Sequence, residues 1–180
     1  FTSMGQYRDL ETLNHHAEAM ASGEDEQELL RAFAVKSRDN ARYPMSWDDS
    51  EQAGFTTGVP WLPVHRNHVE VNAAAARDDR DSVFHHYRRL IELRHTNPIV
   101  RDGVFNLLHS DDEQLFSYTR SLDGVGELLI VANMSSRVCP LPADCRVGGQ
   151  VLLATHRVQA EYCLAPWESR VLALGRPPSN

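Results

Sequence analysis

At Pro98 the hydrophobic period of this chain changes from that of helices to that of strands. Beyond it, GVFNLLH (103–109), QLFSYTR (114–120), ELLIVANM (127–134), QVLLAT (150–155) and SRVLAL (169–174) are short runs rich in aliphatic, β-branched and aromatic residues. Turn signals separate them, and SLDGVGE (121–127) reads as a hairpin connection. Strands this closely spaced predict an antiparallel β-sandwich over 99–180, with a GRPPSN tail (175–180) that should fray.

The residues before Pro98 read as helices and loop. Leu10, Leu13, Ala17 and Met20 share a face between Asp9 and Ser22, and Gly23 ends that segment. A second helix is predicted from Glu24 to Lys36, with acids in its first turn and Leu29, Leu30, Phe33 and Ala34 as its stripe. The third, from Asp78 to Pro98, has Asp81 as its expected N-cap. Val83, Phe84, Tyr87, Leu90, Ile91 and Arg94 follow at helical spacing. Gly54, Gly58, Pro60 and Pro63 make the intervening AGFTTGVPWLPV an irregular loop, and loops of that length are usually functional or linkers. Two or three amphipathic helices and a loop cannot bury their own apolar faces, so a further segment of the same protein or another subunit is expected to cover them.

Composition limits the partners. The 42% hydrophobic content suffices for a core, while a formal charge of −7 argues against nucleic acid and anionic membrane. No apolar run approaches the ~20 residues of a membrane span, and no signal-peptide pattern is present. The start at Phe1 rather than Met suggests an excised segment. Cys139, Cys145 and Cys163 are odd in number and read as reduced thiols of a cytoplasmic protein, although a Cys139–Cys145 bridge is sterically thinkable. Without a Cys-x-x-Cys pair they do not point to a metal.

The densest chemistry lies at residues 37–50, SRDNARYPMSWDDS. Guanidinium and carboxylate groups grip vicinal hydroxyls, and aromatic rings pack on the C–H face of a sugar. Arg38, Asp39, Asn40, Arg42, Tyr43, Trp47 and Asp48 supply both devices. The same composition also fits an ion-pair lattice that merely stiffens a loop. Other candidates are weaker. His65 and His68 lack a third ligand, His15-His16 and His85-His86 cannot both face one ion, and RDDRD (77–81) lacks the glycine and distal glutamate of a calcium loop. No nucleophile elbow, phosphate loop or dinucleotide fingerprint occurs.

Four stretches carry a family resemblance: YRDLETLN (7–14), KSRDNARYPMSWDDSEQAGFTTGVPWL (36–62), DSVFHHYRRLIELRHTNPIV (81–100) and APWESRVLAL (165–174). The chain resembles the C-terminal third of glycoside hydrolase family 13, in its oligo-1,6-glucosidase and α-glucosidase branch. The resemblance implies a mixed α and β fold. Residues 1–98 would be the tail of a (β/α)8 barrel, with the loop after the last strand, extra helices and the last barrel helix. Residues 99–180 would be the C-terminal antiparallel β-sandwich. It also implies retaining, exo-acting hydrolysis of terminal α-linked glucose from short oligosaccharides, with no cofactor. The nucleophile, the general acid and a third sugar-binding aspartate would come from upstream strands. The chain would then hold no catalytic residue and be inactive alone. Matched by motif, Arg38 would bind the non-reducing-end glucose and Glu11 would line the entrance. Asp39, Asn40, Arg42 and Trp47 would shape the loop.

Tyr43 and Ser46 depart from the Thr and Gln common in the family's RTPMQW pattern, which leaves linkage preference open. Sucrose isomerase, trehalose synthase, trehalose-6-phosphate hydrolase and dextran glucosidase share the architecture. A non-catalytic sugar-binding or assembly module is the alternative of another class.

Overall fold

The computed structural model describes residues 1–175; the tail at 176–180 lies outside them. The chain forms two compact units, Phe1–Ser82 and a second that begins at Val83.

In the first unit, α1 (Leu10–Ala21) starts at Asp9, whose side chain accepts the Thr12 N–H. Helix α2 (Glu26–Lys36) starts at Asp25, which accepts the Glu28 N–H. Glu26 and Glu28 lie in its first turn and Lys36 in its last, each matching the helix dipole. Tyr7, Ala19, Leu29 and Phe33 are buried together, with Phe1, Met4, Leu13 and Leu30 packed around them. The expected stripe on α1 is only partly covered: Thr12 and Ala19 are its buried residues, and Leu10 is 73% exposed.

Three 3-10 turns, Arg38–Ala41, Glu51–Gly54 and Arg66–Val69, punctuate the long loop. Gln52, Ala53 and Gly54 have φ of 55, 55 and 63°. This left-handed corner aims the buried Ala53 carbonyl at the Trp47 N–H, 2.9 Å away. Only glycine suits the third position, because a Cβ on Gly54 would lie 2.6 Å from the Asp48 carboxylate. The unit closes with α3 (Ala73–Asp78), capped by Asn72.

The second unit opens with α4 (Val83–Thr96). The helix expected from Asp78 therefore begins later, and Asp81 is not its N-cap. Residues 73–78 form a helix of their own, and the Asp81 N–H turns back to Asp79 Oδ1. Pro98 ends α4 as expected but also opens α5 (Pro98–Asp102), where Asn97 is the cap and proline occupies a first-turn position that needs no N–H.

Among the described residues seven strands follow: β1 (Val104–Leu108), β2 (Leu115–Leu122), β3 (Gly126–Asn133), β4 (Cys139–Pro140), β5 (Gly149–Ala154), β6 (Cys163–Leu164) and β7 (Ser169–Leu174). Five form an antiparallel sheet in the order β1-β2-β3-β7-β5, and β4 pairs with β6 separately. Leu129 and Val131 of central β3 are buried with Leu115, Cys139, Leu141, Cys145 and Leu164, so the core lies between the sheet and the β4–β6 layer. The second layer is thus a two-residue ladder plus the 3-10 turn Ala143–Cys145. Leu128 faces the other way, on the side where Ile99 of α5 approaches Gly126.

The units divide at Ser82/Val83, so α4 clusters with the sheet that follows it. The boundary read at 98/99 falls inside α5, and the change from helix to strand comes after it, at Gly103. Val83, Phe84, Tyr87 and Ile91 of α4 are exposed, and no residue of that helix is fully buried. All three cysteines are unpaired, and Cys139 and Cys145 pack in the core as small apolar groups. No described helix is long and apolar enough to cross a membrane.

Candidate functional site

In the first unit, α2 delivers the chain into residues 37–42 beside the start of α1. Ser37 ends the helix, and its hydroxyl accepts the Asp39 N–H at 3.3 Å, which starts the 3-10 turn. Asp39 then points inward with no exposed surface. Its Oδ2 accepts the N–H groups of Arg8 at 2.6 Å and Asp9 at 2.8 Å. These two donors precede α1 and would otherwise lack partners. Asn40 donates to the Phe33 and Ala34 carbonyls at the end of α2, at 3.1 Å each.

A second buried carboxylate lies beside the first. Asp9 Oδ2 accepts the Thr12 N–H at 3.1 Å and the Thr12 hydroxyl at 3.0 Å. Arg42 Nη1 reaches Asp9 Oδ1 and Asp39 Oδ1, each at 3.4 Å. The Thr12 and Ser37 hydroxyls are 2.9 Å apart. Thr12 has one hydroxyl proton and the carboxylate is the stronger acceptor, which leaves Ser37 to donate to Thr12. Burial works against the charge of Asp9. The Thr12 bonds and the Arg38 and Arg42 guanidiniums outweigh it, so its carboxyl titrates below the usual aspartate range.

This buried lattice carries an exposed pair. Arg38 Nη2 lies 2.8 Å from Glu11 Oε2, with both side chains about two-thirds or more in solvent. The two line a cleft of about 360 Å³, together with Asp9, Thr12, His15, Phe33 and Lys36 among others. One Arg38 N–H faces Glu11, and guanidinium carries five donors in a planar fork, so others can meet hydroxyls entering the cleft.

The structure thus brings Arg38 and Glu11 together across 27 residues of sequence and sets Asp39, Asn40 and Arg42 beneath or beside them. Trp47 is not part of this cleft. Its backbone bonds Ala53 and Ala74, and its side chain is exposed elsewhere on the unit. Tyr43 stacks on Phe1 at 4.9 Å and meets His65 edge-on at 5.0 Å. Sequence reasoning did not single out Asp9, Thr12 and Ser37. Asp9 was legible as a helix start but not as a buried partner of Arg42.

Comparison with known proteins gives a consistent group. The model of the α-amylase catalytic domain matches residues 6–103. The oligo-1,6-glucosidase of Parageobacillus thermoglucosidasius is 42% identical over 98% of this chain and 33% of its own length. Among solved structures, the trehalose-6-phosphate hydrolase of Bacillus licheniformis superposes with a TM-score of 0.88 at 34% identity, over 98% of this chain and 33% of that one. The isomaltulose synthase of Klebsiella sp. LX3 superposes with a TM-score of 0.81 at 31% identity, over 96% of this chain and 32% of that one. The chain spans about a third of the length of the relatives it matches.

Proposed function

Because the chain belongs to glycoside hydrolase family 13, the α-amylase family, among oligo-1,6-glucosidase relatives, we propose that it forms the C-terminal part of a retaining, exo-acting α-glucosidase. The complete enzyme would release terminal α-linked glucose from short oligosaccharides. The observation that carries this reading is the Arg38–Glu11 pair, 2.8 Å apart at a cleft and seated on a buried Asp9–Arg42–Asp39 lattice. Arg38 offers its remaining donors to the hydroxyls of a chain-end glucose. A group that grips the end closes the pocket behind it, which is the geometry of exo action. Glu11 borders the position of the following sugar.

Retention needs two carboxyl groups about 5–5.5 Å apart on either side of the scissile bond. The acids at this cleft are committed elsewhere. Asp9 is held by Thr12 and Arg42, Asp39 is wholly buried, and Glu11 is paired with Arg38. In this reading the nucleophile and general acid lie on the rest of the barrel, and the 180-residue chain alone hydrolyses nothing. The exposed Phe84, Tyr87 and Ile91 of α4 suit burial against that barrel. The three unpaired thiols suit a cytoplasmic enzyme.

The structural likeness to a trehalose-6-phosphate hydrolase supports a second reading, in which that phosphorylated disaccharide is the substrate. Turnover of isomaltose, maltose, sucrose and trehalose-6-phosphate by the complete protein separates the two. The leading reading expects isomaltose to be cleaved with α-glucose as the first product. A preference for trehalose-6-phosphate selects the second reading, and failure on every α-glucoside removes both.

A further inference from the structure

The second unit holds a group of ligand-type side chains that plays no part in the proposed sugar chemistry. His109 follows β1 with a left-handed φ of 48°. Its Nε2 lies 3.2 Å from Asp144 Oδ1 and its Nδ1 lies 3.0 Å from Ser117 Oγ. A His109 ring nitrogen, an Asp144 oxygen and the Cys145 sulfur all fall within 4.8 Å of one another. Cys145 is buried in the core, whereas the Asp144 side chain is 62% exposed. The thiol therefore closes the inner side and water reaches the outer side.

The arrangement superficially resembles a hydrolytic Ser-His-Asp relay. Ser117 has no exposed surface, so no substrate carbonyl can reach its oxygen. The protons of the cluster can be placed in more than one way. Ser117 Oγ is also 3.4 Å from the Leu108 carbonyl and hydrogen-bonds the Cys145 side chain, so its single proton has three acceptors, Leu108, His109 and Cys145. Given to Leu108, it leaves Nδ1–H to donate to Ser117. A neutral ring then turns the Nε2 lone pair toward a carboxylate oxygen, and two acceptors face each other at 3.2 Å. A cation between them removes that conflict, as does the other tautomer, in which Ser117 donates to Nδ1 and Nε2–H donates to Asp144.

We propose that His109, Asp144 and Cys145 form a three-ligand site for a borderline-soft divalent cation of the zinc class, with a fourth position open to water. The 3.2 Å between Nε2 and Asp144 suits two ligands on one tetrahedral ion with bonds of about 2.0–2.1 Å. The Cys145 sulfur lies within 4.8 Å of both and would close in to join them. A nitrogen, oxygen and thiolate set favours zinc or cobalt over magnesium or calcium. Ser117 fixes the ring by accepting Nδ1–H, the role of an outer-shell partner in such sites. On binding, the Cys145 thiol releases its proton to solvent and the sulfur lone pair forms the bond to the metal.

Cobalt(II) titration of the complete protein tests this. One equivalent should produce a thiolate-to-metal charge-transfer absorption that zinc displaces. Cys145→Ser should abolish the band, and His109→Gln and Asp144→Asn should weaken cobalt binding by at least about tenfold. Cys139→Ser and Cys163→Ser should leave the band intact. His109→Gln lies outside the core and covers the case in which Cys145→Ser fails to fold: zinc should raise the Tm of the unsubstituted chain and not of this variant. Absence of the band at one equivalent, its survival in Cys145→Ser, or an equal zinc-induced rise in His109→Gln would overturn the assignment.

Discussion

Asp39 accepts the backbone N–H of Asp9 at 2.8 Å and has no exposed surface itself. This one bond ties the turn after α2 to the start of α1. Arg38, next to Asp39, and Glu11, two residues beyond Asp9, lie 2.8 Å apart beside that anchor.

Removing the anchor should be costly. Asp39→Ala leaves two amide donors and one side of Arg42 without their acceptor, and should destabilise the first unit by about 3 kcal/mol. Asp39→Asn retains one oxygen to accept the Arg8 and Asp9 N–H groups, so it should cost at least about 1 kcal/mol less. Urea unfolding of the two variants measures the difference.

Acid should weaken the same region. The Asp9 carboxyl titrates below its ordinary value in the folded chain. Its contribution is therefore present above the unfolded aspartate value of about 3.9 and is lost as pH falls through the lower folded value. Asp9→Asn should be less stable near neutrality and should flatten the acid limb of a stability-against-pH curve. Denaturation at a series of pH values from neutral downward reads this out.

The left-handed corner gives a paired comparison. Gly23 has φ of 80° with nothing within 4 Å of an added Cβ, whereas Gly54 has φ of 63° and the Asp48 carboxylate at 2.6 Å. Gly23→Ala should cost about 1 kcal/mol, the backbone penalty alone. Gly54→Ala adds a steric conflict and should cost about 2 kcal/mol or more. Thermal melts of the two variants should keep that order.

The second unit has its own buried ion pair, Glu168 with Arg170 at 2.7 Å. Arg170 also donates to the Glu161 and Cys163 carbonyls, and Glu168 accepts the Ala165 N–H. Glu168→Ala would strand a buried guanidinium and should destabilise by about 3–5 kcal/mol. Glu168→Gln keeps the neutral acceptor and should cost less. Chemical denaturation distinguishes them.

Local pattern explains which parts of this fold were legible. The spacing of Leu29, Leu30 and Phe33 announced α2, and the five apolar runs after Pro98 announced the five-stranded sheet. Helix α3 was missed because four consecutive alanines carry no amphipathic period, and the acids after it read as one long helix start. The β4–β6 ladder was missed because two residues per strand are too few to show alternation. In the site, composition could not separate a sugar grip from a stiffening lattice. The structure contains a lattice and an exposed pair on top of it, made by neighbouring residues. Arg38 and Asp39 differ in burial, which residue type alone does not encode.

The most direct test is the kcat/KM of the complete protein on isomaltose with Arg38→Ala, beside the unfolding free energy of the same variant. The Arg38–Glu11 bridge is solvent-exposed, so its loss should change stability by less than about 1 kcal/mol. Loss of charge-assisted bonds to substrate should lower kcat/KM by about 10- to 100-fold. An unchanged kcat/KM in a folded Arg38→Ala enzyme would contradict the account.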